Sequence, residues 1–191
     1  MLRIIVGISG ASGTIYGLRL LEKLRARGGV ETHLILTRSG ERTAWLETTR
    51  KAAEIRALAD FSYPVEDIGC RLASGSFLID AMVVAPCSIH SMSSIAFGIS
   101  SNLLTRAADV TLKERRKLIL MVRETPLHLG HLRAMTALAE MGAIIAPPIP
   151  GFYHHPSSVM EIVDFSVDRI LDLLGLPGGE TRRWNGGRDA K

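Results

Sequence analysis

The chain opens with the apolar run Arg3-Ile4-Ile5-Val6-Gly7-Ile8, which leads directly into the turn Ser9-Gly10-Ala11-Ser12-Gly13. A short aliphatic run predicts a buried strand, and the pattern over residues 14–27 predicts a helix. Glycines let a backbone approach a phosphate closely, and a helix N-terminus attracts anions. The segment therefore predicts the strand–turn–helix start of a nucleotide-binding α/β domain, with a turn that binds no ligand as the alternative.

The spacing of the glycines narrows the class of nucleotide. Gly7, Gly10 and Gly13 are spaced three and three apart, whereas a dinucleotide fingerprint needs two and three. The second predicted strand ends in Thr37-Arg38, where an NAD site would place an acid. The turn also lacks the Gly-Lys-Ser/Thr of a Walker loop. NAD is thus disfavoured, and a mononucleotide remains open.

Outward from this turn, aliphatic runs alternate with helical patterns along the chain. This alternation predicts an α/β fold with a single doubly wound, mostly parallel sheet and helices on both faces, of the flavodoxin-like or Rossmann-like kind. We expect one domain over residues 1–176 and a polar C-terminal tail over 177–191. The predicted strands cover residues 3–8, 32–37, 81–85, 118–122 and 143–146, and the predicted helices cover 14–27, 41–48, 51–60, 91–97, 103–116, 128–141 and 157–174.

Composition excludes several classes of protein. Apolar residues make up 47% of the chain and charged residues 22%, which is a globular balance. No apolar run approaches the roughly 20 residues of a membrane span, so we expect none. The net charge of +4 is dispersed apart from one cluster, Lys113, Arg115, Arg116 and Lys117. That pattern favours a small anionic ligand over nucleic acid.

The start of the chain and its cysteines predict the compartment. Met1-Leu2-Arg3 leads straight into a strand, without the apolar region and cleavage site of a signal peptide. Cys70 and Cys87 are the two cysteines of a chain long enough to fold without a disulfide, so we expect reduced thiols. We therefore expect a cytoplasmic protein.

In a doubly wound sheet, ligands bind beyond the carboxyl ends of the strands, so the loops at those ends are candidate site segments. Each also has a structural explanation: hydroxyls cap helices, and a charged pair forms a strand-end salt bridge. The histidines stand without partner ligands at the spacing of zinc motifs, so we expect no metal. The segments are Thr37-Arg38-Ser39, Pro86-Cys87-Ser88-Ile89-His90-Ser91, Arg123-Glu124, and the stiff loop Pro147–Tyr153.

Taken in order, these segments resemble the flavin prenyltransferases, the UbiX-like family that includes the small subunit associated with phenolic-acid decarboxylases. The resemblance extends from Arg3 to about Trp184, nearly the whole chain. The segments that carry it are Gly10-Ala11-Ser12-Gly13, Tyr16-Gly17, Glu47-Thr48, Ser74-Gly75-Ser76, Pro86-Cys87-Ser88, Asn102-Leu103, Arg106-Ala107-Ala108-Asp109, Leu112-Lys113-Glu114-Arg115, Arg123-Glu124 with Pro126, His131-Leu132, Pro150-Gly151-Phe152-Tyr153 with Pro156, and Arg183-Trp184.

The resemblance implies both an activity and an assembly. It implies a flavodoxin-like fold in a large homo-oligomer, commonly a dodecamer, with active sites at subunit interfaces. The implied reaction joins a dimethylallyl group from dimethylallyl monophosphate to reduced FMN at N5 and C6, without a metal. The prenylated FMN then serves as the cofactor of a partner UbiD-like aromatic-acid decarboxylase.

The resemblance also assigns residues. Those expected to contact FMN are Gly10, Ala11, Ser12, Thr37, Ser88, Ile89, His90, Ser91 and Arg123. Those expected at the prenyl phosphate are Arg106, Lys113, Arg123, Tyr153 and Arg169. The expected catalytic residues are Ser12 and Glu47, which handle protons near N5, and Glu124, which orients the basic groups.

Departures from the family pattern leave two alternatives in view. Ile68 stands where some members carry Trp, and His90 stands where a small residue or Lys is more usual. One alternative is a flavin-dependent cysteine decarboxylase, whose Pro-Ala-Ser-Ala-Asn-Thr-like loop and catalytic His are not visible here. The other is a flavin-binding subunit of a phenolic-acid decarboxylase that carries no activity of its own.

Overall fold

The computed structural model of the chain describes residues 1–177, and its centre is one six-stranded sheet. Every neighbouring pair of strands is parallel, in the order β3-β2-β1-β4-β5-β6. The predicted doubly wound parallel sheet is therefore confirmed. The strands are β1 (Leu2–Ile8), β2 (Val30–Leu36), β3 (Phe61–Tyr63), β4 (Ala81–Cys87), β5 (Lys117–Val122) and β6 (Ile144–Ile145).

Helices connect these strands as crossovers on both faces. The strand order reverses direction at β1, and right-handed crossovers on the two sides of a reversal place their helices on opposite faces. Side chains of Thr37, Ser88 and Asn102 cap the helices that follow them. The helices are α1 (Thr14–Arg27), α2 (Arg38–Thr48), α3 (Ala52–Arg56), α4 (Ile89–Ala96), α5 (Leu103–Lys113), α6 (Leu129–Glu140) and α7 (Val159–Leu173), with a 3-10 turn at Arg71–Ala73.

One strand was not predicted. The sequence pattern predicts a helix over 51–60, but α3 ends at Arg56 and the edge strand β3 follows at Phe61–Tyr63. Three residues are too few to show the alternation that marks a strand. Without β3, the remaining five strands have the flavodoxin order, and with it they have the Rossmann order 3-2-1-4-5-6. Both fold names therefore describe the same switch point, between β1 and β4.

The apolar residues of the strands form the centre of the core. All seven residues of β4 are buried, as expected for a central parallel strand covered on both faces. One contiguous apolar cluster joins strands and helices on one face, with Ile5, Met82, Leu104 and Leu120 among its members. These rigid strands hold the loops at their carboxyl ends in fixed positions.

Chain contacts divide the structure into two compact units, the first running from Met1 to Pro148 and the second beginning at Ile149. Within the second unit, α7 carries Phe165, which stacks on His154 at a centroid distance of 4.4 Å. The domain assigned to 1–176 stays a prediction, and the tail after Pro177 lies outside the described residues. Among residues 1–177, no helix combines the length and apolarity needed to cross a bilayer.

Candidate active site at the carboxyl edge of the sheet

The first feature of the site is a carboxylate held at the start of α1. Gly13 adopts φ 98°, and its N–H donates to both oxygens of Glu47, at 3.0 and 3.1 Å. One of these oxygens also accepts the N–H of Thr14 at 3.0 Å and its hydroxyl at 2.8 Å. Glu47 of α2 thus occupies the amide groups that a phosphate would use at this helix N-terminus.

This finding corrects one expectation from the sequence. The turn Ser9–Gly13 predicted a phosphate cradle at α1, but the amide groups of Gly13 and Thr14 already bind Glu47. Burial alone would raise the pKa of the Glu47 carboxyl. Hydrogen bonds from Ser12, Thr14 and the Gly13 backbone outweigh burial and lower that pKa. Glu47 is therefore an ionised, fixed carboxylate at neutral pH, with Ser12 as a hydrogen-bonded neighbour.

Ser9 fastens the turn after β1 to the turn after β4. Its buried hydroxyl donates to the carbonyl of Pro86 at 2.8 Å and accepts the N–H of Ser88 at 2.7 Å. The two turns flank the switch point, so Ser9 fixes the separation of the two loops predicted to hold FMN. Ser9 is absent from the residues predicted for the site, although a hydroxyl directly after a buried strand was the available signal.

Two helix N-termini face this edge with hydroxyl groups. At α2, the Thr37 hydroxyl oxygen accepts the N–H of Gly40 at 3.0 Å and lies 3.2 Å from the Ser39 hydroxyl oxygen. At α4, the Ser88 hydroxyl accepts the N–H of Ser91 at 3.2 Å and donates to its hydroxyl oxygen at 3.2 Å. Hydroxyls at a helix N-terminus suit the phosphate oxygens of a mononucleotide.

Gly10 lets the first turn lie against the start of α2. A Cβ atom at this position would stand 2.4 Å from Cβ of Ser39, closer than packed atoms allow. Any side chain at Gly10 would therefore push the first turn away from Thr37 and Ser39. The predicted flavin contacts Gly10, Ala11 and Thr37 are brought together by this close approach.

Arg123 closes the site from the end of β5. Its Nε donates to the carbonyl of Ser12 at 3.1 Å, and its backbone N–H donates to the carbonyl of Cys87 at 3.1 Å. Among residues 1–177, the terminal guanidinium nitrogens of Arg123 make no hydrogen bond, so they can receive an anion. The structure thus gathers the predicted FMN contacts 10–12, 37, 88–91 and 123 at one edge of the sheet.

Glu124 lies apart from the basic side chains. Its exposed carboxylate accepts the N–H of Thr125 at 2.9 Å, and within the described part of the chain it forms no ion pair. The expected orienting contact with basic groups is therefore not formed within one chain. His90 lies in the first turn of α4 with an exposed side chain.

Within the first unit, the basic residues predicted to bind the prenyl phosphate are not gathered at one place. Lys113 pairs with Glu114 beside Gly75, and Arg106 donates to the carbonyl of Ala73 at 3.3 Å and pairs with Asp109 at 2.8 Å. Lys113 precedes the first residue of β5, whereas Arg123 follows its last. Six strand residues span about 20 Å, so Lys113 and Arg123 of one chain lie at opposite edges of the sheet.

The second unit holds the other two predicted contacts. There the exposed ring of Tyr153 meets His154 edge-on at a centroid distance of 4.9 Å. The guanidinium of Arg169 pairs with Asp172 at 2.8 Å. Their assignment to the prenyl phosphate stays a prediction.

Other chemistries find little support in this part of the chain. Within residues 1–177, no three His, Cys, Asp or Glu side chains group as metal ligands do. Cys87 is buried, and burial raises the pKa of its thiol to about 12, so it stays a thiol at neutral pH. Burial also raises the pKa of Cys70. Neither cysteine is suited to act as a nucleophile.

The donor set fits FMN. Hydroxyls at two helix N-termini and an available guanidinium suit the phosphate, and they lie beside a carboxylate–hydroxyl pair that can contact a polar ring edge. Such a crevice at the switch point of a doubly wound sheet is typical of flavin- and nucleotide-binding proteins. The fold and the site thus define a flavoprotein of the doubly wound class.

Comparison with known proteins identifies the family. A model of the Flavoprotein family matches residues 1–171. Over 188 residues the chain is 52% identical to flavin prenyltransferase UbiX of Escherichia coli K12, covering 97% of this chain and all of the relative. It is 49% identical over 186 residues to flavin prenyltransferase LpdB of Lactiplantibacillus plantarum, covering 97% and 100%. The chain belongs to the flavin prenyltransferase family of flavoproteins.

Solved structures agree with this assignment. A dodecameric FMN-dependent UbiX-like decarboxylase from Escherichia coli O157:H7 matches with a TM-score of 0.95 and 45% identity, covering 97% of this chain and 100% of that one. AnUbiX (PadA1), in complex with FMN and dimethylallyl pyrophosphate, matches with a TM-score of 0.95 and 43% identity, covering 97% and 98%. The cysteine decarboxylase TvaF, at 22% identity and a TM-score of 0.61, shares the fold.

Proposed function

We propose that this protein is a flavin prenyltransferase that joins a dimethylallyl group from dimethylallyl phosphate to N5 and C6 of reduced FMN. The observation that carries the proposal is the Ser12–Glu47 pair, held beside Arg123 at the switch point of the sheet. This arrangement offers an anion site and a proton-handling pair within one crevice. The named relatives, near 50% identity over the whole chain, support the same activity.

The proposal places the two ends of FMN. Because Glu47 occupies the N-terminus of α1, the phosphate belongs with Thr37, Ser39 and the first turn of α4. The Ser12–Glu47 pair is then left for the ring, near N5. Reduced FMN supplies the two nucleophilic atoms of the reaction.

The residues of the chain assist the departure of phosphate and the movement of protons. As the allylic C–O bond breaks, negative charge develops on the leaving phosphate, and fixed cations stabilise it. Lys113, Arg106, Arg123, Tyr153 and Arg169 are proposed for this role, contributed by more than one subunit. The ionised Glu47 holds the Ser12 hydroxyl so that Ser12 Oγ can pass a proton at N5. The bond at C6 forms as the remaining double bond of the prenyl group takes up a proton, and the C6 proton then leaves to a carboxylate or to the released phosphate.

The assembly and the destination of the product complete the proposal. A related protein is described as dodecameric, and this chain exposes large apolar side chains such as Trp45, Leu46 and Phe97, which an oligomer would cover. We propose a homo-oligomer, with a dodecamer as the expected form. Prenylated FMN is proposed to pass to a UbiD-like aromatic-acid decarboxylase, and a cytoplasmic location stays a prediction.

Anaerobic mass spectrometry of the flavin tests the proposal. Purified protein is incubated with reduced FMN and with dimethylallyl monophosphate or diphosphate in separate reactions. We expect a flavin heavier by one prenyl unit, formed faster with the donor that the site prefers. Ser12→Ala serves as the matched variant and should bind FMN while forming less product. Bound FMN of unchanged mass with both donors would exclude the enzyme and favour a flavin-carrying subunit.

A further inference from the structure

A second crevice lies beyond the carboxyl ends of β2 and β3, beside the Thr37 turn that is assigned to FMN. Its volume is about 360 Å³. Its lining includes five uncharged residues, namely Leu36, Ser62, Tyr63, Pro64 and Val65. Four charged side chains from α2, α3 and the segment after β3 form its rim, namely Arg38, Glu41, Arg56 and Glu66.

Apolar side chains make up part of the lining of this crevice, and Ser62 is a polar member of it. The Tyr63 hydroxyl is already bonded to Nε of Arg71 at 2.7 Å and to Nδ1 of His33 at 3.1 Å. Tyr63 therefore offers a carbon ring rather than a polar group to the crevice. Together with Leu36, Pro64 and Val65, the ring makes a wall suited to a small aromatic or aliphatic body.

The rim carries two arginines in weak ion pairs. Arg38 pairs with Glu66 at 2.7 Å, with 85% and 56% of the two side chains exposed. Arg56 pairs with Glu41, with 46% and 32% exposed. Exposed ion pairs contribute little to stability, so these pairs can exchange for a ligand at small cost. Each guanidinium has five N–H donors in a planar fork, and a single carboxylate cannot accept all five.

We propose that this crevice binds a small amphiphilic anion, with a carboxylate or phosphate head between Arg38 and Arg56 and an apolar body against Tyr63. Its volume lies at the small end of the range of ligand pockets. The site goes beyond the proposed function, and Leu36 and Arg38 of its lining adjoin Thr37, which the FMN proposal uses.

Binding measurements on the FMN-loaded protein test this site without using the prenylation reaction. The probes are benzoate and phenyl phosphate, which carry a head and a body, inorganic phosphate, which is a head alone, and benzyl alcohol, which is a body alone. Isothermal calorimetry should show binding of benzoate or phenyl phosphate, and the stronger of the two identifies the head group. Inorganic phosphate and benzyl alcohol should each bind at least about tenfold more weakly.

Three variants locate the binding. Arg38→Gln and Arg56→Gln should each weaken the preferred probe by about tenfold. Arg42→Gln makes the same charge change at an exposed position of the same helix and should leave the affinity unchanged. Circular dichroism and FMN content confirm folding, and Arg38→Lys replaces any variant that fails to fold. The proposal is overturned if neither amphiphilic probe binds, if inorganic phosphate binds equally well, or if Arg42→Gln weakens binding as much as the other two.

Discussion

At the scale of single residues, the site depends on groups far apart in sequence that satisfy one another. Glu47 accepts the backbone N–H groups of Gly13 and Thr14, residues more than thirty positions away. The resemblance to the family predicted Glu47 and Ser12 as proton-handling residues. It could not predict that Glu47 also caps α1, because that contact exists only once β1 and β2 pair and bring their turns together.

Replacing Glu47 by Gln should affect both stability and catalysis. The amide keeps one acceptor but loses the charge. We therefore expect the free energy of unfolding to fall by about 0.5 kcal/mol, near the lower limit for an exposed carboxylate at a helix N-terminus. Prenylation should fall further than FMN binding does, because Ser12 loses its charged partner. Urea unfolding, FMN titration and the mass-spectrometric assay measure the three quantities.

The difference in stability between wild type and Glu47→Gln should depend on pH, because the pKa of Glu47 is lowered in the folded state. A carboxyl whose pKa is lower in the folded state stabilises the protein above its ordinary value, here 4.5, and loses the contribution as the pH falls through the folded value. The gap in stability between wild type and Glu47→Gln should therefore be full at pH 7 and close in acid. Glu140→Gln, at an exposed position of α6, should show no such gap. An equal gap at all pH values would contradict the assigned role.

At the scale of secondary-structure elements, the sequence predicts most of the sheet, and its failures are local. The strands 3–8, 81–85 and 118–122 were predicted because buried parallel strands are continuous aliphatic runs. The edge strand β3 was missed because it has three residues and is held by contacts with β2, notably those of His33. Helix α5 was predicted to reach residue 116 but ends at Lys113, and Arg115 adopts φ 57°.

The packing of α1 on β4 depends on a glycine. A Cβ atom at Gly17 would stand 2.2 Å from the carbonyl oxygen of Ala85. Gly17→Ala should therefore destabilise the protein by about 1–3 kcal/mol, as overpacking does, although Ala favours helix. Gly69→Ala is the matched control, because its Cβ would find its nearest atom at 3.7 Å. Thermal unfolding at equal protein concentration compares them, and equal melting temperatures would contradict this close approach.

The contact between β2 and β3 should make stability depend on pH. His33 is fully buried, with Nε2 3.0 Å from Glu31 and Nδ1 3.1 Å from the Tyr63 hydroxyl, which also accepts from Arg71. Burial lowers the pKa of His33, Glu31 opposes this effect, and Arg71 and Arg3 reinforce it. As the pH falls below 6.5, His33 therefore takes up a proton in the unfolded chain before it does so in the folded protein. The folded state loses stability as a result.

Urea unfolding at pH 7.5 and 5.5 measures this effect, with His33→Gln as the comparison. Glutamine retains hydrogen-bonding capacity without titrating, so the wild type should lose more stability than the variant between the two values. The other histidines contribute equally to both proteins. A variant whose stability falls as steeply as that of the wild type would show that His33 does not cause the loss.

At the scale of the whole molecule, one chain assembles only part of the predicted site. The predicted flavin contacts lie together because the carboxyl ends of parallel strands meet at one edge, which the sequence alone predicts. Lys113 and Arg106 lie instead around the segment 73–75 that precedes β4. The resemblance to the family predicts that all these residues act in one site, but it carries no information about which subunit supplies each.

If Lys113 and Arg123 act on the same phosphate, they must come from different subunits, because one chain places them about 20 Å apart along β5. Lys113→Ala and Arg123→Ala should each be nearly inactive alone. Co-expressed in equal amounts, they should form mixed oligomers in which about a quarter of the sites carry both wild-type residues.

That mixture should therefore recover about a quarter of the wild-type prenylation rate, measured by mass spectrometry of the flavin. A variant that carries both substitutions, co-expressed with wild type, provides the control. It forms the same kind of mixed oligomer, but every complete site in that oligomer is built from wild-type chains alone. Mixtures that stay inactive while native mass spectrometry shows mixed oligomers would place both residues of a working site on one chain. That outcome would also exclude a shared phosphate site, since the length of β5 keeps the two side chains of one chain apart.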